Sequence, residues 1–177
     1  GVARSINFYP IEPEKPEDGI VKVAYGLGKY IVDGGLSLRF SPRYPNKILQ
    51  LSSPAQALKE TQRYYYALDL NQKSFTVSTN DGINLLKLKI NDIDHDPSVR
   101  HLFSVYDFDN DILRDGIYGK GKKLVTFAGI LQHRGFPLAE ILKDLLEIGH
   151  REMNLPIEIE FAVNMDVPSG EPAVFNF

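Results

Sequence analysis

The chain of 177 residues contains no cysteine and no tryptophan. Without cysteine there is no disulfide framework, no zinc–thiolate site and no cysteine nucleophile. A reducing compartment is thereby permitted. No apolar run approaches the roughly 18 residues that span a bilayer as a helix. The opening residues, GVARSINFYP, lack the basic and then apolar pattern of a secretory signal. We therefore expect a cytoplasmic protein that has no membrane partner. Basic excess is missing too: 20 Lys and Arg stand against 23 Asp and Glu, a net charge of −3. Nucleic-acid binding, which favours a clearly basic face, gains no support from this balance. The first residue is not Met and the last run, EPAVFNF, is apolar. Natural termini are usually polar and frayed, so the expectation is a piece of a longer chain.

What remains is ordinary globular composition, 43% hydrophobic and 24% charged, with 9 Tyr and 10 Phe to build a core. No internal repeat or low-complexity tract interrupts it. Residues 1–9 alternate loosely as a strand, and the proline-rich, charged segment 10–18 reads as an exposed connection. Ile20, Val23, Ala24, Leu27 and Ile31 recur at helical spacing, with Asp18 as N-cap and Gly34-Gly35 as stop. Ser53, Pro54 and Gln56 mark the start of a second helix, with Leu58, Thr61, Tyr65 and Leu68 on its inner face. Residues 73–90 suit a hairpin turning at Asn80-Asp81-Gly82. Two strands are expected at Val105–Arg114 and Leu124–Leu131, joined by a glycine-rich turn. Pro137 to about Asn154 is the clearest helix, with a stripe of Leu138, Ile141, Leu142, Leu145 and Ile148. Lys143–Glu147 and Glu147–Arg151 are spaced there as i,i+4 ion pairs. A strand from Ile157 to Val163 and another near Ala173 close the chain. The class is α+β.

The most informative stretch is Pro156 to Asn164. Along a strand, Ile157, Ile159, Phe161 and Val163 share one face, and Glu158, Glu160 and Asn164 share the other, with small Ala162 between them. Two carboxylates at i and i+2 sit roughly 6–7 Å apart at a rise of about 3.3 Å per residue. That spacing suits a Mg²⁺ that bridges ATP phosphates, because Mg²⁺ takes only one or two carboxylates and leaves its other positions to phosphate and water. The same pattern also describes a half-exposed strand with a solvated acidic face. The second stretch runs from Tyr25 to Gly34. Its glycines, Gly26 and Gly28, let backbone approach a ligand, or another element. It is not a dinucleotide fingerprint, because the third glycine of that pattern would be Ile31.

Other candidates fail on their own chemistry. Gly116 to Lys123 nearly fits a phosphate-binding P-loop, but Lys123 replaces the Mg²⁺-binding hydroxyl and the β-rich LVTFAGIL follows where a helix must start. It reads as a mobile turn between two strands whose backbone holds no phosphate. Asp107, Asp109 and Asp111 lack the glycine and the bidentate Glu of a calcium loop, since Ile112 and Tyr118 stand there. Asp92, Asp94, His95 and Asp96 read as a polar surface loop.

Together these stretches resemble the pyruvate/phosphoenolpyruvate-binding ATP-grasp domain of phosphoenolpyruvate synthase and pyruvate phosphate dikinase. Tyr-Gly-Leu-Gly at 25–28, with Val32 and Gly34 behind it, is similar to that family's WGLGE-x-x-V-x-G. Pro156 to Phe161 is similar to its PQDIEW, and Gly1 to Ile6 to its GVMFT strand. The order agrees across most of the chain, with a divergent middle at about 45–130. The resemblance implies the back half of an ATP-grasp domain, a single unit over 1–177 with a mainly antiparallel sheet and packed helices. It implies that Glu158 and Glu160 contact the metal and the ATP phosphates, and that Gly26 and Gly28 border the nucleotide. Lys29 reverses the charge of the family's Glu. The parent implied is an enzyme that uses ATP and Mg²⁺ to phosphorylate a histidine on a separate domain and then pyruvate. Its catalytic Lys and Arg would precede Gly1 and its Gln and Arg pair would follow Phe177, so the fragment alone is expected to be inactive. The alternative is a non-catalytic binding or assembly module on the same fold.

Overall fold

The computed structural model describes residues 1–71, 76–80, 82–93, 97–168 and 170–177. The chain first forms strand β1 (Val2–Arg4), strand β2 (Ile20–Val23), the one-turn helix α1 (Lys29–Val32), strand β3 (Leu38–Phe40) and helix α2 (Pro54–Glu60). Strands β4 (Tyr64–Leu68), β5 (Leu85–Lys89), β6 (Phe103–Asp107), β7 (Ile112–Asp115) and β8 (Lys122–Val125) follow. Then come the short α3 (Ala128–Leu131), the long α4 (Leu138–Met153) and strands β9 (Glu158–Glu160), β10 (Ala162–Asn164) and β11 (Val174–Asn176). The class is α+β, and the strand pairs among the described residues are antiparallel.

A four-stranded sheet in the order β3-β2-β1-β9 carries the site. Its register sorts side chains by face. Phe40, Val21, Ala3 and Ile159 stand side by side on one face. The first three of these are buried and share a core with Leu138, Ala139, Leu142 and Leu146 of α4. The far end of α4 is tied to the same sheet. Ser5 donates its backbone N–H to the Ile157 carbonyl (3.0 Å), and its hydroxyl accepts from the Ile157 N–H (2.9 Å) and meets His150 Nδ1 at 3.0 Å.

A three-stranded sheet, β7-β6-β8, adds Phe103 and Val125 to that core. Tyr106 and Leu124 form a smaller cluster with Ala57 of α2. The pairs β4–β5 and β10–β11 complete the structure. No helix among the described residues is long and apolar enough to cross a membrane.

Several elements differ from the sequence reading. Residues 20–31 are not one helix: Ile20–Val23 is a strand, and only Lys29–Val32 is helical. The β-branched alternation puts Val21 and Val23 in the core, and Gly26 at φ 91° ends any helical path. Helix α2 begins as its Ser53 cap requires, with Ser53 Oγ accepting from the Gln56 N–H at 3.2 Å. It stops at Glu60, because Thr61 is extended and the aromatic run Tyr64–Tyr66 joins a strand. Strand β5 pairs with Tyr64–Leu68 rather than with residues 76–79; residues 72–75 and Asp81 of the expected hairpin lie outside the described residues.

Val105–Arg114 is two strands around a turn in which Asp107 accepts from the Asp109 and Asn110 N–H groups (3.0 and 3.3 Å). Leu124–Leu131 breaks after Val125, where Phe127 takes a left-handed conformation at φ 53° and opens α3. Gly116–Gly121 does connect two strands, but those strands flank β6 on opposite sides. Strand β1 covers only the start of residues 1–9. Along α4 the buried stripe is Leu138, Ala139, Leu142 and Leu146, while Ile148 is exposed. Arg151 contacts Glu152 at 3.1 Å rather than Glu147.

Leu142 is fully buried and Ile148 is about half exposed. Leu142→Ala is therefore expected to cost about 2–5 kcal/mol, and Ile148→Ala to stay within about 0.5 kcal/mol. Urea unfolding midpoints of the two variants check this contrast.

Candidate functional site

Strand β9 lies against β1, so Glu160 is directly opposite Val2 and Glu158 opposite Arg4. Period two then places both carboxylates on the outer face of the sheet. The next strand extends the same rows. Arg39, Lys22, Val2 and Glu160 form one rung, and Ile20, Arg4 and Glu158 the next. The rung runs from basic at β3 to acidic at β9. Arg4 Nε donates to the Glu158 carboxylate across the strands, both side chains being about half exposed. Arg39 is held by Asn7 Oδ1 and the Tyr9 carbonyl, each at 2.8 Å. Both glutamates are exposed.

Phe161 turns the chain from β9 to β10, and its ring is buried in the core and stacks on Phe175 at 5.6 Å. Partly buried Ile157, Ile159 and Val163 pack against that core as well. Beyond the turn, the chain borders a cavity of about 680 Å³, within the range of small-molecule sites. Its apolar floor includes Val99, Leu102, Phe127, Ile130 and Leu138. Its polar margin includes Lys29, Glu160, Asn164, Asp166 and Asn176. Gly26 and Gly28 line the same cavity as Glu160; Glu158 borders a neighbouring hollow instead. Three of the four expected site residues are therefore gathered at one place.

The two glycines serve different ends. The Tyr25 backbone is clamped by the buried Gln62 amide, which accepts from the Tyr25 N–H and donates to its carbonyl, each at 2.8 Å. Leu27 N–H then donates to the Tyr66 carbonyl at 3.1 Å. Between these bonds Gly26 has φ 91°, and a Cβ there would meet the Tyr66 oxygen at 2.8 Å. Its missing side chain makes room for strand β4. Gly28 has ordinary helical angles, and a Cβ on it would meet nothing within 4 Å, so its face is open.

Lys29 Nζ lies 3.3 Å from Asp33 one turn on. The Tyr66 phenol beside this turn is shifted up, first by desolvation and then by its hydrogen bond to Asp33. On the other side, burial pushes the Gly1 amino group down to about 6, against the opposing pull of Glu160.

The discarded motifs are structural. Asp107 also accepts from Asn110 Nδ2 at 2.8 Å, and that bond first of all holds its carboxyl below the ordinary value. Asp111 accepts from the Tyr106 hydroxyl at 2.5 Å. Asp92 sits in an exposed turn, and Asp94, His95 and Asp96 lie outside the described residues. No group of three or more His, Asp or Glu side chains that could hold a metal ion occurs among the described residues.

Comparison with protein-family models, curated proteins and solved structures gave no match.

The sequence reading missed Asp166 and the apolar floor. Asp166 is signalled only by its place two residues beyond Asn164, whose Oδ1 accepts from the Asp166 N–H at 3.0 Å. The floor residues come from helices and turns far along the chain and carry no local signal.

Gly26→Ala forces a side chain onto a backbone angle it resists and onto a carbonyl oxygen. The expected cost is about 1–3 kcal/mol from the backbone strain alone. Gly28→Ala is expected to change stability by less than about 0.5 kcal/mol. Thermal unfolding of both variants tests the difference.

Proposed function

We propose that the chain is the back half of an ATP-grasp nucleotide-binding domain, from an ATP-dependent phosphotransferase resembling phosphoenolpyruvate synthase. The observation that carries the reading is the convergence of residues 25–29 and 160–166 on one cavity of about 680 Å³, although they lie far apart in the chain. An apolar floor with charged groups at the rim is the arrangement that takes a flat base on one side and phosphates on the other. The antiparallel sheet beside it leaves a charged outer face, as a fold that clamps its ligand against a second layer requires.

The residues fit such a ligand in part. Glu160 stands at the junction of cavity and sheet face and is the carboxylate placed to take Mg²⁺, which needs only one or two from the protein. Bound there, Mg²⁺ would neutralise charge on the phosphates. Glu158 has its carboxylate on Arg4, which makes it the weaker ligand of the two. Gly28 leaves backbone open to the cavity, and Lys29 offers a cation at its margin. In this reading the parent passes phosphate from ATP to a histidine on another domain and then to pyruvate, and acts in the cytoplasm.

The Arg4–Glu158 pair, which engages one of the two carboxylates, favours a second reading, a binding or assembly module without catalysis.

The isolated chain is expected to bind ATP·Mg weakly or not at all, since a clamp needs both of its halves; calorimetry showing micromolar affinity would contradict this. In the full-length parent, once its activity is established, Glu160→Gln is expected to lower turnover by at least about a hundredfold, the scale of one preorganised electrostatic group. Nucleotide affinity should fall much less, because phosphoryl transfer depends on positioning and charge neutralisation. Glu158→Gln should be milder, and Lys29→Ala milder still. Steady-state kinetics that leave Glu160→Gln with most of its turnover would favour the non-catalytic module.

A further inference from the structure

A second concavity lies away from Glu160, where the end of β5, the link between α2 and β4, and the start of β8 meet. Its volume is about 160 Å³. Arg63, Lys89, Lys122 and Lys123 all line it, and among the described residues no acidic one does. In a chain of net charge −3, four cations around one small hollow are a marked local reversal.

Carbonyls, not carboxylates, are what hold two of these cations. Lys123 Nζ donates to the Ile93 carbonyl at 2.5 Å, and Arg63 Nη2 to the Lys59 carbonyl at 3.3 Å. Lys89 and Lys122 take part in no ion pair among the described residues. Asp92, next to the lining residue Asn91, does not line the hollow. A fifth cation lies close by: Lys87 sits 5.1 Å from the centre of the Tyr64 ring, and Tyr64 also lines the hollow.

The backbone holds these groups in place. Ile90 N–H donates to the Arg63 carbonyl at 3.0 Å, joining the end of β5 to the α2–β4 link. Lys122 and Lys123 are fixed opposite Tyr106 and Val105 of β6. Leu58, Ile90 and Leu124 contribute an apolar floor.

Like charges gathered with no counter-charge among the described residues repel and weaken the compact state. An apolar floor strengthens that repulsion, and equally strengthens attraction for an anion, by lowering the effective dielectric. A monovalent anion would leave most of the charge uncompensated. A phosphate group carries up to two charges and several acceptor oxygens, and it matches both the guanidinium fork and the lysine ammonium groups. The hollow is below the roughly 300–1,000 Å³ of drug-sized sites, which suits the phosphate end of a small molecule better than a whole ligand.

We propose that Arg63, Lys89, Lys122 and Lys123 form a binding site for a small phosphate-bearing anion, separate from the cavity bordered by Glu160. The site works through side chains. It is not the P-loop that residues 116–123 superficially resemble, and Gly116–Gly121 take no part in it.

Calorimetric titration of the purified chain with pyrophosphate tests the proposal. Saturable binding is expected, weakening as KCl is raised through about 150 mM. The double variant Lys89→Gln/Lys122→Gln is expected to bind at least about tenfold more weakly, and Lys143→Gln on α4 to bind as the wild type does. If the double variant fails to fold by circular dichroism, the single exposed change Lys89→Gln should still weaken binding severalfold. Inorganic phosphate and glycerol phosphate, titrated in parallel, distinguish a free-ion site from a phosphate-ester site, and tighter binding of either upholds it. Wild-type protein that gives no heat with pyrophosphate at millimolar concentration, or a folded double variant that binds as tightly as wild type, overturns it.

Discussion

Strand β1 lies between β2 and β9, and both the core and the candidate site depend on that position. The inward side chain of β1, Ala3, is fully buried at the centre of the sheet. Its outward side chains, Val2 and Arg4, face Glu160 and Glu158. Ser5 continues the link by engaging the Ile157 backbone and His150 of α4. Without the β1–β9 pairing, the segment beginning at Glu160 would have no fixed relation to the glycine-bearing turn after β2. The cavity between them would have no wall.

Charge on the outer face is ordered rather than merely abundant. Arg39 and Lys22 stand on the β3–β2 side and Glu160 on the β9 side, with Val2 between. Exposed ion pairs such as Arg4–Glu158 contribute about 0–1 kcal/mol, so the apolar inner face, not this pairing, holds the sheet together. What the pair does is take one of two neighbouring strand carboxylates out of competition and leave Glu160, with Asp166, at the cavity edge.

Legibility from sequence followed the range of the forces involved. Helix α4 was readable because its stripe is local and long, although the spacing named Ile141, Leu145 and the exposed Ile148 where Ala139 and Leu146 are the buried residues. The Ser53 cap was readable because the bond it accepts spans only three residues. Residues 20–31 misled because Ile20, Val23, Ala24, Leu27 and Ile31 fit helical spacing and also fit a strand, a turn and one helical turn in succession. Pairing of Val21 with Ala3 and Phe40 chooses between these, and neither partner is near in sequence. In the site, the common face of Glu158 and Glu160 follows from period two alone. The hold of Arg4 on Glu158 does not, since 154 residues separate them. Nor could sequence tell Gly26, crowded by β4, from Gly28, which faces open space.

That separation has a bearing on how the chain is made. Contacts between distant residues form slowly, because the loop between them must be closed before it is rewarded. At a synthesis rate of about 5–20 residues per second, β9 leaves the ribosome roughly 8–30 s after β1. Until then β1 can pair only with β2, and its other edge is an unsatisfied row of N–H and C=O groups open to any passing strand. The middle of the finished sheet is thus an edge until the residues of β9 have been synthesised. Arg4, charged and outward-facing on that edge, is the side chain placed to discourage a wrong partner before Glu158 arrives.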